Sequence, residues 1–501
     1  MQTQLSKFKI NVISNMMIKL MGGLIPLILS PFVARALLSG GLGEYTYAHS
    51  IVSYFSLFVS FGFVNYGTKK ISEVRDNPES RSHAFWHIIY ARFLLFILAS
   101  ITYVILILSF DLTKGFNNEI YFVLYLTLVG ALVDLTFYFQ GIEKMFGFSI
   151  VNLTINCIYM FLIIFLVKSP SDLFLYTLLK SSLLAVSSIF SLPLIINQIK
   201  NVPRPNFKEI KCVFVGSFAF FIPSLILTIT PLIDQTMLGA IANTDEVGYY
   251  EAANKIKIIA LVFSSSISSI LLSRVSYMRT KNDDINAFLK VSKSLLFSIY
   301  ILVPMVFGVC AVSDVFFVLY FGIDFSQSEI IMYWLSPSIL FSSIITILLF
   351  GYFFACGKTK ASSLIILGCD LLNAITNIAA IKYLGASGAA ITSSFSNGIL
   401  MALCIWFSKR DIDYRSIFKN SSGVFVNSIV MFFVVCICKT IFIRIGLPSI
   451  FVLFISILIG ATCFFLACIA IKEFNTNQVF CIFKNHYKKK KNNTISREEI
   501  E

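Results

Sequence analysis

An all-α polytopic membrane protein with about 14 transmembrane helices is the fold class this sequence predicts. Three observations point to it. Of the 501 residues, 57% are hydrophobic and only 13% charged, with a mean hydropathy of +0.83, well outside the range of soluble globular chains. The apolar residues come in runs of about 20 or more, the length that crosses a bilayer as a helix. Within those runs apolar and polar positions do not alternate, as they would along the strands of a membrane barrel.

Taken in order, the runs give spans at 11–38, 44–66, 84–110, 119–141, 145–167, 172–199, 212–241, 247–273, 287–312, 328–356, 360–382, 385–408, 421–443 and 448–471. Lys7 and Lys9 precede the first, which is longer than the apolar region of a signal peptide, so no cleavable signal is expected. Pro26 and Pro31 fall in span 1, and Pro223 and Pro231 in the equivalent part of span 7. Proline removes a backbone donor, so both spans are expected to break there. Gly141 closes span 4, Gly357 closes span 10, and Gly385-Ala386-Ser387-Gly388 opens span 12. The 11 cysteines are scattered, which suits buried thiols better than a disulfide framework.

Charge sets the expected orientation. With the N-terminus in the cytoplasm, 28 of the 40 Lys and Arg lie on the cytoplasmic side and only Lys114, Lys168, Lys382 and Arg444 on the other. Both termini are therefore predicted to be cytoplasmic. The net charge of +14 is largely this asymmetry, and nucleic-acid binding is not expected. Lys488–Lys491 in the tail would suit anionic lipid. No predicted outward loop exceeds about 20 residues, which argues against enzymes working through a large external loop.

The two halves of the chain resemble each other. Ser30-Pro31-Phe32-Val33-Ala34-Arg35 aligns with Thr230-Pro231-Leu232-Ile233-Asp234-Gln235, and Leu42-Gly43-Glu44-Tyr45 with Val247-Gly248-Tyr249-Tyr250. Asn152…Asn156 of span 5 echoes Asn373…Asn377 of span 11. An offset of six spans keeps orientation, which implies two parallel, pseudo-symmetric six-helix lobes. The expected domains are an N-terminal lobe at 1–200, a C-terminal lobe at 201–410, appended spans 13 and 14 at 411–472, and a basic cytoplasmic tail at 473–501.

Ionisable residues inside spans cost roughly 2.5–3.5 kcal/mol each near the bilayer centre, so they are the candidate functional groups. The bases singled out are Lys19, Arg35, Arg92, Lys180, Lys255, Lys257, Lys293 and Lys439, and the acids Asp134, Asp234 and Asp370. The surplus of bases predicts a cationic interior, which suits phosphate oxygens. Lys293, Lys439 and Arg35 lie near span ends, where snorkelling is the competing reading. Asp234 and Lys255 sit at matching depth, so they form either a structural ion pair or separate functional groups. Asn152/Asn156 and Asn373/Asn377, each four apart, read first as glue between helices. Gly357-Lys358-Thr359 lacks the glycine a phosphate-binding loop needs five residues earlier. His83 and His87 have no third ligand nearby. No catalytic, metal or cofactor site is expected.

The segments IPSLILTITPLIDQTMLG and VGYYEAANKI, with YFQGIEKM and the GASGAA turn, resemble polysaccharide flippases, especially O-antigen repeat-unit flippases, of the multidrug/oligosaccharidyl-lipid/polysaccharide exporter superfamily. The resemblance covers spans 1–12. It implies two bundles around a central cavity that moves undecaprenyl-pyrophosphate-linked oligosaccharide from the inner to the outer leaflet of a bacterial inner membrane by alternating access. Under it, Lys255, Lys180, Arg92, Lys19, Arg35 and Lys257 are the expected substrate-binding residues, and Asp234, Asp134 and Asp370 the expected coupling or gating residues, coupling being to a proton or another cation. Tyr250 and Tyr47 are expected at the outer mouth, stacking on sugar. The expected partners are the lipid-linked oligosaccharide, the phospholipid membrane and other polysaccharide assembly proteins. The alternatives are a cation-coupled multidrug antiporter of the same superfamily, which a cationic interior disfavours, a membrane-embedded glycosyl-transfer enzyme, and a non-transporting scaffold.

Overall fold

The computed structural model describes residues 2–109, 118–199 and 202–470, with side chains from Ile25 onward except at a few positions of spans 7 and 8. The basic tail cluster and the side chain of Lys19 fall outside the described residues. Fourteen helices run α1 (Gln2–Ser60), α2 (Phe63–Glu73), α3 (Pro78–Ser109), α4 (Asn118–Val133), α5 (Thr136–Gly141), α6 (Met145–Leu166), α7 (Leu173–Ser191), α8 (Phe207–Ile241), α9 (Thr244–Thr280), α10 (Asp284–Tyr320), α11 (Ser328–Leu348), α12 (Thr359–Ser408), α13 (Tyr414–Arg444) and α14 (Ser449–Ala470), with no strand among the described residues. Ten described stretches are long and apolar enough to cross a membrane. The all-α polytopic class predicted from composition is thus the observed one.

Spans 1 and 2 are carried by α1, which turns sharply at Leu38 (φ 59°). Spans 11 and 12 are carried by α12, which turns at Gly385 (φ 57°). Each turn interrupts the helix ladder and exposes a fresh N–H, and each N–H finds a distant carboxylate. Ser39 N–H donates to Asp324 Oδ2 at 2.6 Å, and Ala386 N–H to Glu246 Oε2 at 2.6 Å. A side chain at Gly385 would run into the Glu246 carboxylate, so glycine is required there for space as well as for its positive φ.

The expected proline breaks do not occur. The α1 helix continues through Pro26 and Pro31, and α8 continues through Pro231. Proline at 31 frees the carbonyl of Leu27, which would otherwise stand bare in an apolar setting. The Tyr320 hydroxyl donates to that carbonyl, and Ser30 Oγ donates to the carbonyl of Pro26 at 2.6 Å. The break falls instead within span 4, between α4 and α5.

By internal contacts the chain divides into two compact units, Met1–Ile259 with Tyr320–Leu335 and Thr359–Ser396, and Ala260–Leu319 with Ser336–Lys358 and Asn397–Glu501. In the first, α4 packs along α7, and α1 packs against α3, α4, α6 and α8. Its aromatic core gathers Phe63, Phe85, Phe137 and Tyr138 around α2, α3 and α5. In the second, α13 and α14 pack as a pair, with Met431 and Val435 against Ala311 and Val312. There Lys439, instead of snorkelling, donates to both oxygens of Asp314 at 2.7 and 2.8 Å and to the Ala311 carbonyl at 2.8 Å.

Candidate functional site

Two clusters of ionisable residues occupy the first unit, and α9 contributes to both. Residues seven apart lie two turns along the same stripe of a helix, and residues four apart lie one turn apart. Tyr250 and Lys257 form one such stripe of α9, and Glu251 and Lys255 form another.

The Glu251 stripe meets α1 and α7, each of which presents a pair of the same spacing. These pairs are Tyr45 with His49, and Tyr176 with Lys180. The rings of Tyr45 and His49 stack at 5.4 Å, and Tyr45 meets Tyr176 edge-on at 4.9 Å. Lys180 lies within electrostatic reach of Lys255, Glu251 and His49. Gln235 of α8 donates to Glu251 Oε2 at 2.9 Å, and Asn254 also bonds that carboxylate. The result is a pair of ammonium groups and one carboxylate, walled by tyrosine rings and a histidine. Such a site attracts an anion, and its low local dielectric strengthens every contact.

On the other stripe, Asp234 is 2% exposed. Its carboxylate accepts from Tyr250 Oη at 2.8 Å, from Asn377 Nδ2 at 2.7 Å and from the Ser393 hydroxyl. Thr392 donates to Asn377 in turn. Lys257 is the base within reach of Asp234. Asp370 is also within reach; its Oδ1 accepts from Thr230 at 2.8 Å, while its Oδ2 has no hydrogen-bond partner among the described residues. The Asp234–Lys255 ion pair offered by matching depth is therefore not formed, because the two side chains leave their helices in different directions.

Other sequence-predicted residues are placed differently. Arg92 is fully enclosed. It donates to the backbone carbonyls of Asp134 at 2.7 Å and Leu132 at 3.3 Å, with its guanidinium over the Phe137 ring at 5.2 Å. This seals the carbonyl end of α4. Asp134 accepts from the backbone and hydroxyl of Thr136 at 2.9 and 2.5 Å, so it holds the turn that leads into α5. In this structure both side chains are engaged in closing the break in span 4. Arg35 is exposed, its stem beside Gly322. Tyr47 and Tyr250, expected at an open mouth, are 4% and 1% exposed; Tyr47 covers Gly239, and Tyr250 is committed to Asp234. Asn152 and Asn377 do act between helices, Asn152 accepting from Ser187 at 2.6 Å.

Sequence reading misses Glu251 and His49. The available signal is the spacing Glu251–Lys255 inside span 8, an acid one helical turn before a base.

The first unit also closes tightly at the ends predicted to face outward. Side chains added at Gly43 or Gly248 would overlap the carbonyls of Thr244 and Ser39 respectively. Ser39 Oγ donates to Asp245 Oδ1 at 2.7 Å. The start of α9 is thereby fastened against the bend of α1.

The profile of a family described as polysaccharide biosynthesis protein matches residues 8–272. A probable low-salt glycan biosynthesis flippase of Haloferax volcanii, Agl15, is 23% identical over 52% of this chain, and the match spans 54% of that relative's length. A putative O-antigen transporter of Escherichia coli K12 is 23% identical over 59% of this chain and 71% of its own length. Among solved structures, a lipid II flippase MurJ in an inward closed conformation matches with a TM-score of 0.73 at 15% identity, covering 94% of this chain and 99% of that one. An inward-facing multidrug resistance MATE family transporter of the MOP superfamily matches with a TM-score of 0.60 at 13% identity, over 81% and 99%. At these identities the structural matches establish a shared fold.

Proposed function

The chain belongs to the polysaccharide biosynthesis protein family, and from that premise we propose that it is a flippase for a lipid-linked oligosaccharide. On this reading it carries an undecaprenyl-pyrophosphate-linked repeat unit of a surface polysaccharide, such as an O-antigen, from the inner to the outer leaflet, breaking no covalent bond. The observation that carries the reading is the pairing of Lys180 on α7 with Lys255 on α9 inside a membrane domain, beside the rings of Tyr45 and Tyr176. Two ammonium groups enclosed in an apolar protein beside a single carboxylate favour a further anionic partner, and pyrophosphate offers several charge-assisted bonds. Aromatic rings alongside suit the apolar faces of sugars.

The same reading assigns the lobes at 1–200 and 201–410 to alternating access, with both termini in the cytoplasm of a bacterial inner membrane. The tight approach at Gly43 and Gly248 serves as the closed outer gate. Asp234, with Asp370 beside it, is the coupling carboxylate, since both are buried acids, the first within reach of Lys257 and the second within reach of the first, that exchange with a proton or another cation can charge or neutralise.

Deletion of the gene tests this. Surface glycan should disappear while the lipid-linked unit is still assembled and accumulates on the inner leaflet. Polymer at the surface together with greater drug sensitivity would favour the antiporter reading instead.

A further inference from the structure

Glu251 is the one group in the lysine cluster whose presence works against binding an anion. It sits one turn before Lys255 on α9, within reach of Lys180 as well. The Gln235 amide at 2.9 Å and Asn254 hold its carboxylate in place. These neutral donors matter because they can keep the carboxylate satisfied when the lysines turn to another partner. Two ammonium groups and one carboxylate leave a surplus of one positive charge.

We propose that Glu251 is the resident counter-ion of the Lys180/Lys255 pair and sets the minimum charge of the ligand. This rests on reading that pair as the anion site. Against that surplus a ligand with one negative charge can engage one lysine, and at the other it offers no more than Glu251 already does. The carboxylate is tethered, so it competes without the loss of translational freedom that a free ligand suffers. A pyrophosphate, with at least two charges on adjacent phosphates, outcompetes it and can bond both lysines at once. The device admits the pyrophosphate-linked carrier and turns away the singly charged phospholipids that surround it in far greater number. In this role Glu251 is a specificity-determining residue that acts on the substrate through the charge it sets beside the lysines.

The test uses the full-length protein in detergent and two soluble probes of equal chain length, a short-chain prenyl pyrophosphate and a dialkyl phosphate carrying one charge. Wild type should bind the pyrophosphate at least about tenfold more tightly, the scale of one partly solvated charge interaction. Glu251→Gln should tighten binding of both probes and bring the dialkyl phosphate, about tenfold stronger, to the affinity that wild type shows for the pyrophosphate, whereas Glu251→Asp should leave both affinities as in wild type. If the glutamine form does not accumulate, Glu251→Ala supplies the same reading. Lys180→Gln and Lys255→Gln should each weaken both probes. If the lysine changes weaken binding but Glu251→Gln leaves both affinities unchanged, the counter-ion role is wrong and the anion site stands. If the lysine changes leave both probes unaffected, the anion site itself is wrong, and this inference goes with it.

Discussion

At the scale of single residues, the two α9 stripes separate two jobs that depth alone confuses. Lys255 and Asp234 lie at similar distances along their helices, but residues 255 and 257 differ by about 200° around the axis. That rotation puts Lys257 beside Asp234 and turns Lys255 to Glu251 and Lys180. Lys255→Ala and Asp234→Asn should therefore combine additively in protein abundance, with no rescue of one by the other. Tyr250→Phe, by contrast, removes one of three donors from a buried carboxylate. Its expected cost is about 1–3 kcal/mol, read as lower abundance or a lower thermal midpoint, while Lys255→Ala accumulates normally and loses transport per molecule. An equal loss of abundance in the two variants would contradict this division. The residue types of the site were legible in the sequence because charge inside an apolar run stands out. Their partners were not, since rotation about a helix axis depends on where its neighbours sit. Arg92 shows the same limit: nothing local announces that its partners are the carbonyls forty residues away.

At the scale of elements, the spans were legible from run length, and the bends were legible only where glycine marked them. Gly385 itself carries the bend of α12, whereas the equivalent bend of α1 falls at Leu38, two residues ahead of the glycine pair Gly40-Gly41. Pro31 misled because the donor it lacks is replaced from elsewhere in the fold, by Tyr320 at the Leu27 carbonyl. The close approach of α1 and α9 at the end predicted to face outward depends on two glycines, which gives a direct test of the proposed gate. Gly248→Val would push against the carbonyl of Ser39 and should hold that end apart. A cysteine at Ser50, fully buried in this structure, should then gain labelling by an impermeant thiol reagent applied from outside, in a background otherwise free of cysteine. Unchanged protection of Ser50→Cys in the Gly248→Val background would show that this contact is not the gate. Asp324→Asn keeps the size of the acid but weakens its bond to Ser39 N–H, and should cost about 0.5–2 kcal/mol, the range for losing a helix cap.

At the scale of the whole molecule, the class and the number of spans follow from composition, because a bilayer leaves few ways to satisfy the backbone. The sidedness rests on the placement of Lys and Arg and can be measured directly. Single cysteines at Asn282 and Asn206 should be shielded from an impermeant reagent in intact cells, and cysteines at Asn243 and Ser326 should react. The reverse pattern would invert the topology. The bond from Tyr320 to the Leu27 carbonyl also bears on how the chain is made. Leu27 enters the membrane early in synthesis, whereas Tyr320 emerges on the order of tens of seconds later at usual elongation rates. Until then the first span carries a carbonyl that its own helix cannot satisfy. The newborn N-terminal half is thus chemically unfinished, and a chain stopped before Tyr320 should be cleared by membrane quality control faster than one stopped just after it.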